Sequence, residues 1–224
     1  DRRVQKNWKA RKERGTVNYI YSLEDVPIDE GKWLVLARYN DKLNRLKPFL
    51  KERGIYFEFK DRKSYKVTLF RTILNYIRWQ KGDELSLPEV KDIFEYTNTD
   101  TELTEERMYN LEEFGFDKNI PWYDEFTSDY EECLYIREML SNGEELRKDP
   151  RVKLSTIHSA KGGEADNVLL ILDNTKTIRD AIDKSPDKQD EEHRVWYVGV
   201  TRTKQNLYIM AAKKEDQGYD IESL

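Results

Sequence analysis

The sequence has few of the residues on which disulfides and metal sites depend. Its 224 residues include one cysteine, Cys133, and two histidines, His158 and His193. A single cysteine cannot form an internal disulfide, and the stretch YEECLYIREML places it on the apolar face of a predicted helix, so we expect a thiol in the core. No further Cys or His lies at metal-ligand spacing, so the sequence does not favour a zinc site, and we predict no metal ligand in this chain.

Long hydrophobic runs are also missing. No apolar run approaches the ~18 residues that a membrane span needs, and we expect no signal peptide. The mean hydropathy of −0.90 is polar, yet 14 Tyr, 8 Phe and 5 Trp argue against wholesale disorder. We therefore expect a soluble protein of a reducing intracellular compartment, the cytoplasm, with no membrane partner.

Two common nucleotide-binding loops are absent from the sequence, G-x-x-x-x-G-K-[ST] and G-x-G-x-x-G. Without either loop, this chain alone cannot hold a nucleoside triphosphate. A hydrolase triad is not indicated either, because Ser159 directly follows His158 and the side chains of neighbouring strand residues point to opposite faces.

Charge is distributed unevenly along the chain. Residues 81–145 contain 20 Asp and Glu against 5 Lys and Arg, whereas the whole chain has a net charge of only −5. An acidic middle therefore lies between two basic flanks, although solvated helix faces would also explain a charge run. Because like charge repels phosphates, we expect the acidic segment not to hold duplex DNA.

Both flanks predict alternating strands and helices, which indicates an α/β layer architecture with a parallel sheet. The basic residues 1–14 precede it as an arm or connector. We expect strands at 16–21, 33–39, 55–59, 152–157, 168–173 and 206–212, and helices from Asn40 or Asp41 to Gly54, over 68–79 and over 191–200.

The acidic middle predicts a small helical insertion into that domain. Three short amphipathic helices are expected within 86–97, 104–116 and 123–140, with Ser86 and Glu89 forming a capping box. The predicted organisation is a first domain part over 1–80, an acidic helical insertion over 81–150, and the remainder of the domain over 151–224.

The segment STIHSAKGGEADNVLLI, residues 155–171, predicts a polar loop between two strands. Loops at the ends of parallel strands are where α/β folds place ligands. Glycines let backbone N–H groups approach a phosphate, and Lys161 adds a compact positive charge. A glycine-containing surface turn with scattered polar residues is the alternative, and spacing alone favours it.

The segment EEHRVWYVGVTRTKQNLYIM, residues 191–210, ends a predicted helix with Arg202. No acidic residue lies four positions away on either side, because position 198 is Val and position 206 is Asn. A phosphate is a natural partner for a guanidinium in a cleft, since the two match bidentately. A surface arginine at a helix end is the alternative.

Taken together, STIHSAKGGE and EEHRVWYVGVTR resemble motifs V and VI of the UvrD/Rep-like superfamily 1 DNA helicases, and LVLARYNDKLNRLKPFLKERGIYFEF resembles their motif IV. The resemblance implies a second RecA-like domain with an inserted subdomain, a parallel sheet with flanking helices. Such helicases clamp ATP between two RecA-like domains, of which the first carries the phosphate loop and the carboxylates for Mg²⁺. The resemblance also implies single-stranded DNA as a partner and a role in DNA repair or replication. It implies that this chain alone has no activity, since the phosphate loop lies in the first domain.

The resemblance implies roles for individual residues. Arg38 and Arg202 match arginines that reach the γ-phosphate, where each would act as an arginine finger. Glu164 matches a ribose-binding glutamate. The remaining matches are Lys161 and Gly162, which shape the nucleotide-side loop; Thr156 and His158, which contact single-stranded DNA; and Arg194 and Tyr197, in coupling or structural roles.

Two residues depart from the family pattern. Ala37 stands where an aromatic residue usually stacks on the base, and Gly163 stands where leucine is usual, which loosens the loop before Glu164. These departures keep a second hypothesis open: a helicase-like module without catalysis that binds DNA or protein, the latter through the acidic insertion. A helicase–nuclease fusion and an RNA track are further alternatives, although no nuclease carboxylate cluster is visible in the sequence.

Overall fold

The computed structural model describes residues 14–160, 162–212 and 218–221. The predicted basic arm, except Arg14, and Lys161 lie outside the described residues. The chain forms two compact units, Asp1–Arg45 with Arg151–Leu224, and Leu46–Pro150. In the described part, no helix combines the length and apolar character needed to cross a membrane.

Strands and helices alternate as the flanks predicted. The strands are β1 (Thr16–Ile20), β2 (Trp33–Ala37), β3 (Phe57–Phe59), β4 (Arg62–Lys63), β5 (Leu85–Ser86), β6 (Met108–Tyr109), β7 (Val152–Thr156), β8 (Ala165–Ile171) and β9 (Thr203–Met210). The helices are α1 (Asn40–Glu52), α2 (Val67–Gln80), α3 (Leu87–Thr97), α4 (Trp122–Glu125), α5 (Tyr130–Ser141), α6 (Lys176–Lys184) and α7 (Pro186–Val200).

The strands of the first unit lie in the order β1-β9-β8-β2-β7, and each neighbouring pair is parallel. β3 and β4 form an antiparallel pair. The strands of the sheet are therefore mostly, but not all, parallel. This confirms the predicted α/β fold and is consistent with a RecA-like domain. All five residues of β2 are buried, as expected for a central strand of a parallel sheet covered on both faces.

Helix α7 covers one face of these strands. Its buried residues are Glu192, Trp196 and Gly199, which share one helix face by their spacing of four and three. The Trp196 ring stacks on Tyr219, with 4.8 Å between ring centroids. A Cβ on Gly199 would lie 3.0 Å from Leu170 Cδ1, so glycine lets α7 approach β8 closely.

The end of α1 shows why the predicted stop at Gly54 holds. Gly54 has φ +59, a left-handed conformation that favours glycine. Its N–H donates to the Lys51 carbonyl at 3.0 Å, and the Ile55 N–H donates to the Leu50 carbonyl at 2.9 Å. These two bonds form a Schellman cap, and the buried side chains of Leu50 and Ile55 complete it.

Gly54→Ala should lower the free energy of unfolding by about 2–3 kcal/mol, because it adds left-handed strain and steric overlap. The new Cβ would lie 2.9 Å from the Glu138 carbonyl carbon, a backbone atom that cannot move aside alone. Gly82→Ala is the matched control, since Gly82 has φ +96 and nothing within 4 Å of the new Cβ. It should cost only about 1 kcal/mol. Equal losses in urea titrations of the two variants would show that crowding at Gly54 contributes nothing.

The second unit has an aromatic core and a buried thiol. Trp79 is fully buried, and its indole N–H donates to the Tyr109 carbonyl at 2.9 Å. The Ser86–Glu89 capping box at the start of α3 is present as predicted, with the Ser86 N–H 2.9 Å from Glu89 Oε2. Cys133 is buried, also as predicted, and burial, with lesser contributions from nearby carboxylates, raises the pKa of its thiol to about 11.

Two predictions about helices were wrong, and one helix was not predicted. The segment 104–116 is not a helix: it contains β6 and a 3₁₀ turn over Leu111–Phe114, because Met108 and Tyr109 pair with β5. The helix expected over 123–140 is divided into α4 and α5, with Asp129 in a left-handed conformation between them. The polar stretch after β8 contains a helix that was not predicted, α6, whose N-cap is Thr175.

Candidate active site

The candidate site lies where three parallel strands of the first unit end. Ala37 at the end of β2 is level with Thr156 at the end of β7 and with Ile171 at the end of β8. The residues that follow therefore emerge at one edge of the sheet. They include Arg38 and His158, and this carboxyl edge is where open α/β sheets bind ligands.

Arg38 is held by a carboxylate and a histidine. Its Nε lies 2.9 Å from Glu192 Oε2 and its Nη2 lies 2.6 Å from Glu192 Oε1, a bidentate pair. The remaining amine, Nη1, lies 3.3 Å from His158 Nδ1. The side chains of Arg38 and Glu192 are 20% and 11% exposed, so the ion pair is largely shielded from water and geometrically fixed.

A second ion pair lies at the same edge. The Lys42 amine on α1 donates to Asp173 Oδ1 at 2.5 Å, and the Asp173 side chain is only 4% exposed. Burial raises the pKa of the neighbouring Tyr39 hydroxyl, and the negative charge of Asp173 adds to that shift. This ion pair attaches the start of α1 to Asp173, which lies two positions after the end of β8.

The loop after β7 is ordered by Thr156. The Ser159 N–H donates to Thr156 Oγ1 at 3.2 Å, and the two hydroxyls lie 2.9 Å apart. Further along, Gly162 has φ +89 and nothing within 4 Å of the position of a Cβ. The glycine therefore gives the loop a left-handed turn, and a side chain added at this position would stand in open space.

Arg202 lies in the turn between α7 and β9. Its Nε donates to the Val198 carbonyl at 3.0 Å, its Nη1 to the Gly163 carbonyl at 3.4 Å and its Nη2 to Thr201 Oγ1 at 3.2 Å. Arg202 forms no ion pair with any described residue, so its charge is balanced only by dipoles of carbonyl and hydroxyl groups.

The loop that Arg202 contacts carries Glu164. Arg202 accepts a backbone hydrogen bond from the Ala165 N–H at 3.1 Å, so the turn and the loop are joined on both sides of Glu164. The Glu164 side chain is exposed. It forms no hydrogen bond or ion pair with the described residues.

The two α7 residues predicted for coupling or structural roles are both exposed. The Arg194 side chain is 73% exposed and lies 3.8 Å from Asp190, a weak pair of the i,i+4 type. Tyr197 is 48% exposed. Neither packs into the core of the first unit.

The structure joins some of the predicted residues and not others. Arg38 contacts His158, and Arg202 contacts the loop that contains Gly162 and Glu164. No described contact joins Arg38 to Arg202. Glu192 and Val198, the residues of α7 that bind the two guanidinium groups, are about 9 Å apart along the helix axis.

The sequence did not lead us to predict Glu192, Lys42 and Asp173 as residues of the site. Glu192 could have been found, because it precedes Trp196 by four positions and therefore shares its buried helix face. A carboxylate on such a face needs a cationic partner. Asp173 had a weaker signal, its position directly after the apolar run VLLIL.

Comparison with known proteins supports the motif resemblance. Residues 86–214, more than half of the chain, match the model of the UvrD-like helicase C-terminal domain. The chain is 34% identical over 88 residues to ATP-dependent DNA helicase Rep of Buchnera aphidicola subsp. Acyrthosiphon pisum (strain APS), and 30% identical over 82 residues to the Escherichia coli (strain K12) protein of that name. Each match covers 37% of this chain and 13% or 12% of the relative, so the chain spans about an eighth of those relatives. The chain belongs to the UvrD-like helicase C-terminal domain family.

Proposed function

We propose that this chain is the second RecA-like domain of an ATP-dependent DNA helicase or translocase. In this role it supplies arginine fingers and single-stranded DNA contacts to an ATP site that an N-terminal domain outside this chain completes. That domain would carry the phosphate loop and hold Mg²⁺. Two similar proteins are named ATP-dependent DNA helicase Rep, and the chain belongs to the corresponding C-terminal domain family.

The state of Arg202 is the observation that carries this proposal. A guanidinium bound only to carbonyl and hydroxyl oxygens keeps its full charge available for an anion. The turn that holds it is fixed by backbone hydrogen bonds to Gly199 and Ala165, so the charge would be preorganised. Preorganised cations are effective where negative charge develops on a phosphoryl group.

The residues near Arg202 fit a nucleotide. Glu164 is exposed and free of hydrogen bonds to described residues, so its carboxylate can accept from ribose hydroxyls. Gly162 has open space where a Cβ would stand, so the loop backbone can be approached closely at this position. ATP would supply the phosphoanhydride whose hydrolysis drives movement, while Arg202 neutralises charge and Glu164 orients the sugar.

Contacts to single-stranded DNA would come from the loop after β7. Thr156 and His158 lie at the carboxyl edge, and His158 is exposed. His158 Nδ1 lies 3.3 Å from Arg38 Nη1. Movement of one of these side chains would therefore displace the other. We propose that this contact links DNA binding to the nucleotide site.

One observation favours a second candidate, a helicase-like module that binds DNA or protein without hydrolysing ATP. Arg38 already has a carboxylate partner in Glu192. A guanidinium engaged in a shielded bidentate pair is less available for a phosphate than a free one. If the chain is part of a motor, closure of the ATP site would have to break the Arg38–Glu192 ion pair, so that the Arg38 guanidinium can contact the nucleotide instead.

ATP hydrolysis by the full-length parent polypeptide, measured with and without single-stranded DNA, tests the proposal. We expect DNA to stimulate hydrolysis at least tenfold, since the strand and the nucleotide would share the Arg38–His158 connection. Strand displacement on a tailed duplex should depend on ATP. Absence of hydrolysis, with single-stranded DNA still bound, would establish the binding module instead.

A further inference from the structure

Strand β1 is the outermost strand of the sheet, and it carries apolar and aromatic side chains that are exposed. Val17 and Tyr19 lie level with Leu207 and Ile209 of β9, which belong to the same hydrophobic core as Trp196 of α7. Leu207 and Ile209 are 5% and 3% exposed, whereas Val17 and Tyr19 are each 59% exposed. The apolar face of the sheet therefore continues onto β1, where it becomes accessible to solvent.

The connection from β1 to β2 supplies no helix to cover these side chains. Parallel strands are usually joined by an α-helix that packs on a face of the sheet. Residues 21–32 are all described, and their only helical element is the 3₁₀ turn Leu23–Asp25. A connection with one short turn is too small to shield a strand, so the exposure of β1 follows from the local sequence.

The outer edge of β1 lacks the sequence features that block pairing with another strand. Such features are charged side chains, proline and β-bulges. The run TVNYIY, residues 16–21, contains no charged residue and no proline, in a chain of which 37% is charged. The register with β9 runs without a bulge from Thr16 to Ile20. In the described part of the chain, no strand pairs with the outer edge of β1.

The inner edge holds β1 in place. The Thr16 hydroxyl donates to Asn206 Oδ1 at 2.9 Å, and the Asn18 amide donates to Thr16 Oγ1 at 3.1 Å. Beyond the strand, the Ala211 N–H donates to the Ile20 carbonyl at 3.1 Å. Because β1 is already ordered, a partner strand would not have to fix its backbone, and the entropic cost of pairing is reduced.

We propose that the outer edge of β1 pairs antiparallel with β1 of a second copy of this chain, about a two-fold axis at Asn18. In this register Val17 of each copy lies opposite Tyr19 of the other, and the two Asn18 residues face each other. Pairs of an aromatic with a β-branched residue are favourable cross-strand pairs. The two-fold axis places the exposed side chains of both copies on one face and closes the assembly at a dimer.

The charges that flank β1 favour a second copy in the antiparallel direction. The strand is preceded by a basic stretch, because residues 2–14 contain seven Lys and Arg and one Glu. It is followed by an acidic turn, which contains Glu24 and Asp25. Antiparallel pairing brings the basic start of one strand beside the acidic end of the other, whereas parallel pairing would bring like charges together. The dimer does not rest on the proposed function.

Disulfide formation in the 224-residue chain tests the register. Residues directly opposite each other in an antiparallel pair have Cα atoms about 4.5–5.5 Å apart, which a disulfide can span. Asn18→Cys should therefore form a covalent dimer under mild oxidation. Thr16→Cys is the matched control, because its two copies would be about 13 Å apart along the strands. The native thiol of Cys133 is buried, so wild type should remain uncrosslinked.

Sedimentation velocity over a series of concentrations measures the strength of pairing. We expect a reversible monomer–dimer equilibrium for wild type and at least tenfold weaker association for Tyr19→Lys, since a charge on an edge strand opposes pairing. Tyr130→Lys is the control: Tyr130 is 56% exposed and belongs to the second unit, so association should stay within about twofold of wild type. Tyr19→Phe retains the aromatic ring and should associate as wild type does.

Three results would overturn the proposal. They are a monomer at every concentration, equal weakening by Tyr19→Lys and Tyr130→Lys, and crosslinking of Thr16→Cys as efficient as that of Asn18→Cys. Thermal melting of each variant checks that the sheet is intact. ATP hydrolysis by the parent polypeptide is a separate measurement, so rejection of the dimer would leave the proposed function standing, and the reverse also holds.

Discussion

Arg202→Ala should lower ATP hydrolysis by the parent polypeptide about 10³-fold while the fold is retained. Arg202 makes its hydrogen bonds to carbonyl and hydroxyl oxygens of a turn that backbone bonds already hold. Its removal therefore leaves no buried charge without a partner. The loss should appear in the rate with saturating ATP, because a finger acts on charge that develops during phosphoryl transfer.

Arg45→Ala is the control for Arg202→Ala. Arg45 belongs to the same unit, its side chain is 70% exposed, and among the described residues it forms an ion pair only with Asp41 on the surface. It should leave hydrolysis within about twofold of wild type. Arg202→Lys retains the charge but loses the planar fork, so an intermediate rate is expected. If Arg202→Ala hydrolysed ATP at the same rate as Arg45→Ala, Arg202 would have no role in ATP hydrolysis.

Arg38→Ala should have two effects, because Arg38 serves both the fold and the proposed chemistry. We expect hydrolysis to fall about 10³-fold. The free energy of unfolding should also fall, by about 2–3 kcal/mol, since the largely buried Glu192 carboxylate would lose its cation. Urea titration of the 224-residue chain measures the second effect independently of nucleotide.

The double variant Arg38→Ala/Glu192→Gln separates the two effects. A neutral amide does not carry the cost of an unpaired buried carboxylate, so most of the lost stability should return. Hydrolysis should remain low, because no guanidinium is restored. Recovery of hydrolysis together with stability would mean that Arg38 only supports the structure. Glu192→Gln alone should keep hydrolysis or increase it, since Arg38 is then released from its carboxylate partner.

Residue types and spacing predicted part of the local structure at the candidate site. They predicted Arg202 at the end of an apolar helix and a glycine-containing loop between two strands, and the structure places the two in contact. Their roles toward a nucleotide stay predictions that come from the family resemblance. The pair between Arg38 and Glu192 was not recoverable, because 154 positions separate the two residues. Only the parallel pairing of β2 with β7 and β8, and the packing of α7 over them, brings them into contact.

Local signals in the fold were reliable where one interaction dominated. The cap at Gly54 and the box of Ser86 with Glu89 depend on residues within a few positions of one another, so the sequence predicts them. The segment 104–116 shows the opposite case. Its spacing is helical, but Met108 and Tyr109 pair with β5, and Trp79 donates to the Tyr109 carbonyl. Tertiary partners overrode the local preference.

The sequence by itself determined the α/β class, the buried central strand β2, the core position of Cys133 and the motifs that place the chain in its family. Periodicity and capping are local, so they are readable without coordinates. The tertiary structure decided which charges are paired and which are available. Arg38 and Arg202 look alike in the sequence, yet one faces a carboxylate and the other faces carbonyl and hydroxyl groups. Their electrostatic states differ because long-range packing, rather than residue type, sets the neighbours of a charge.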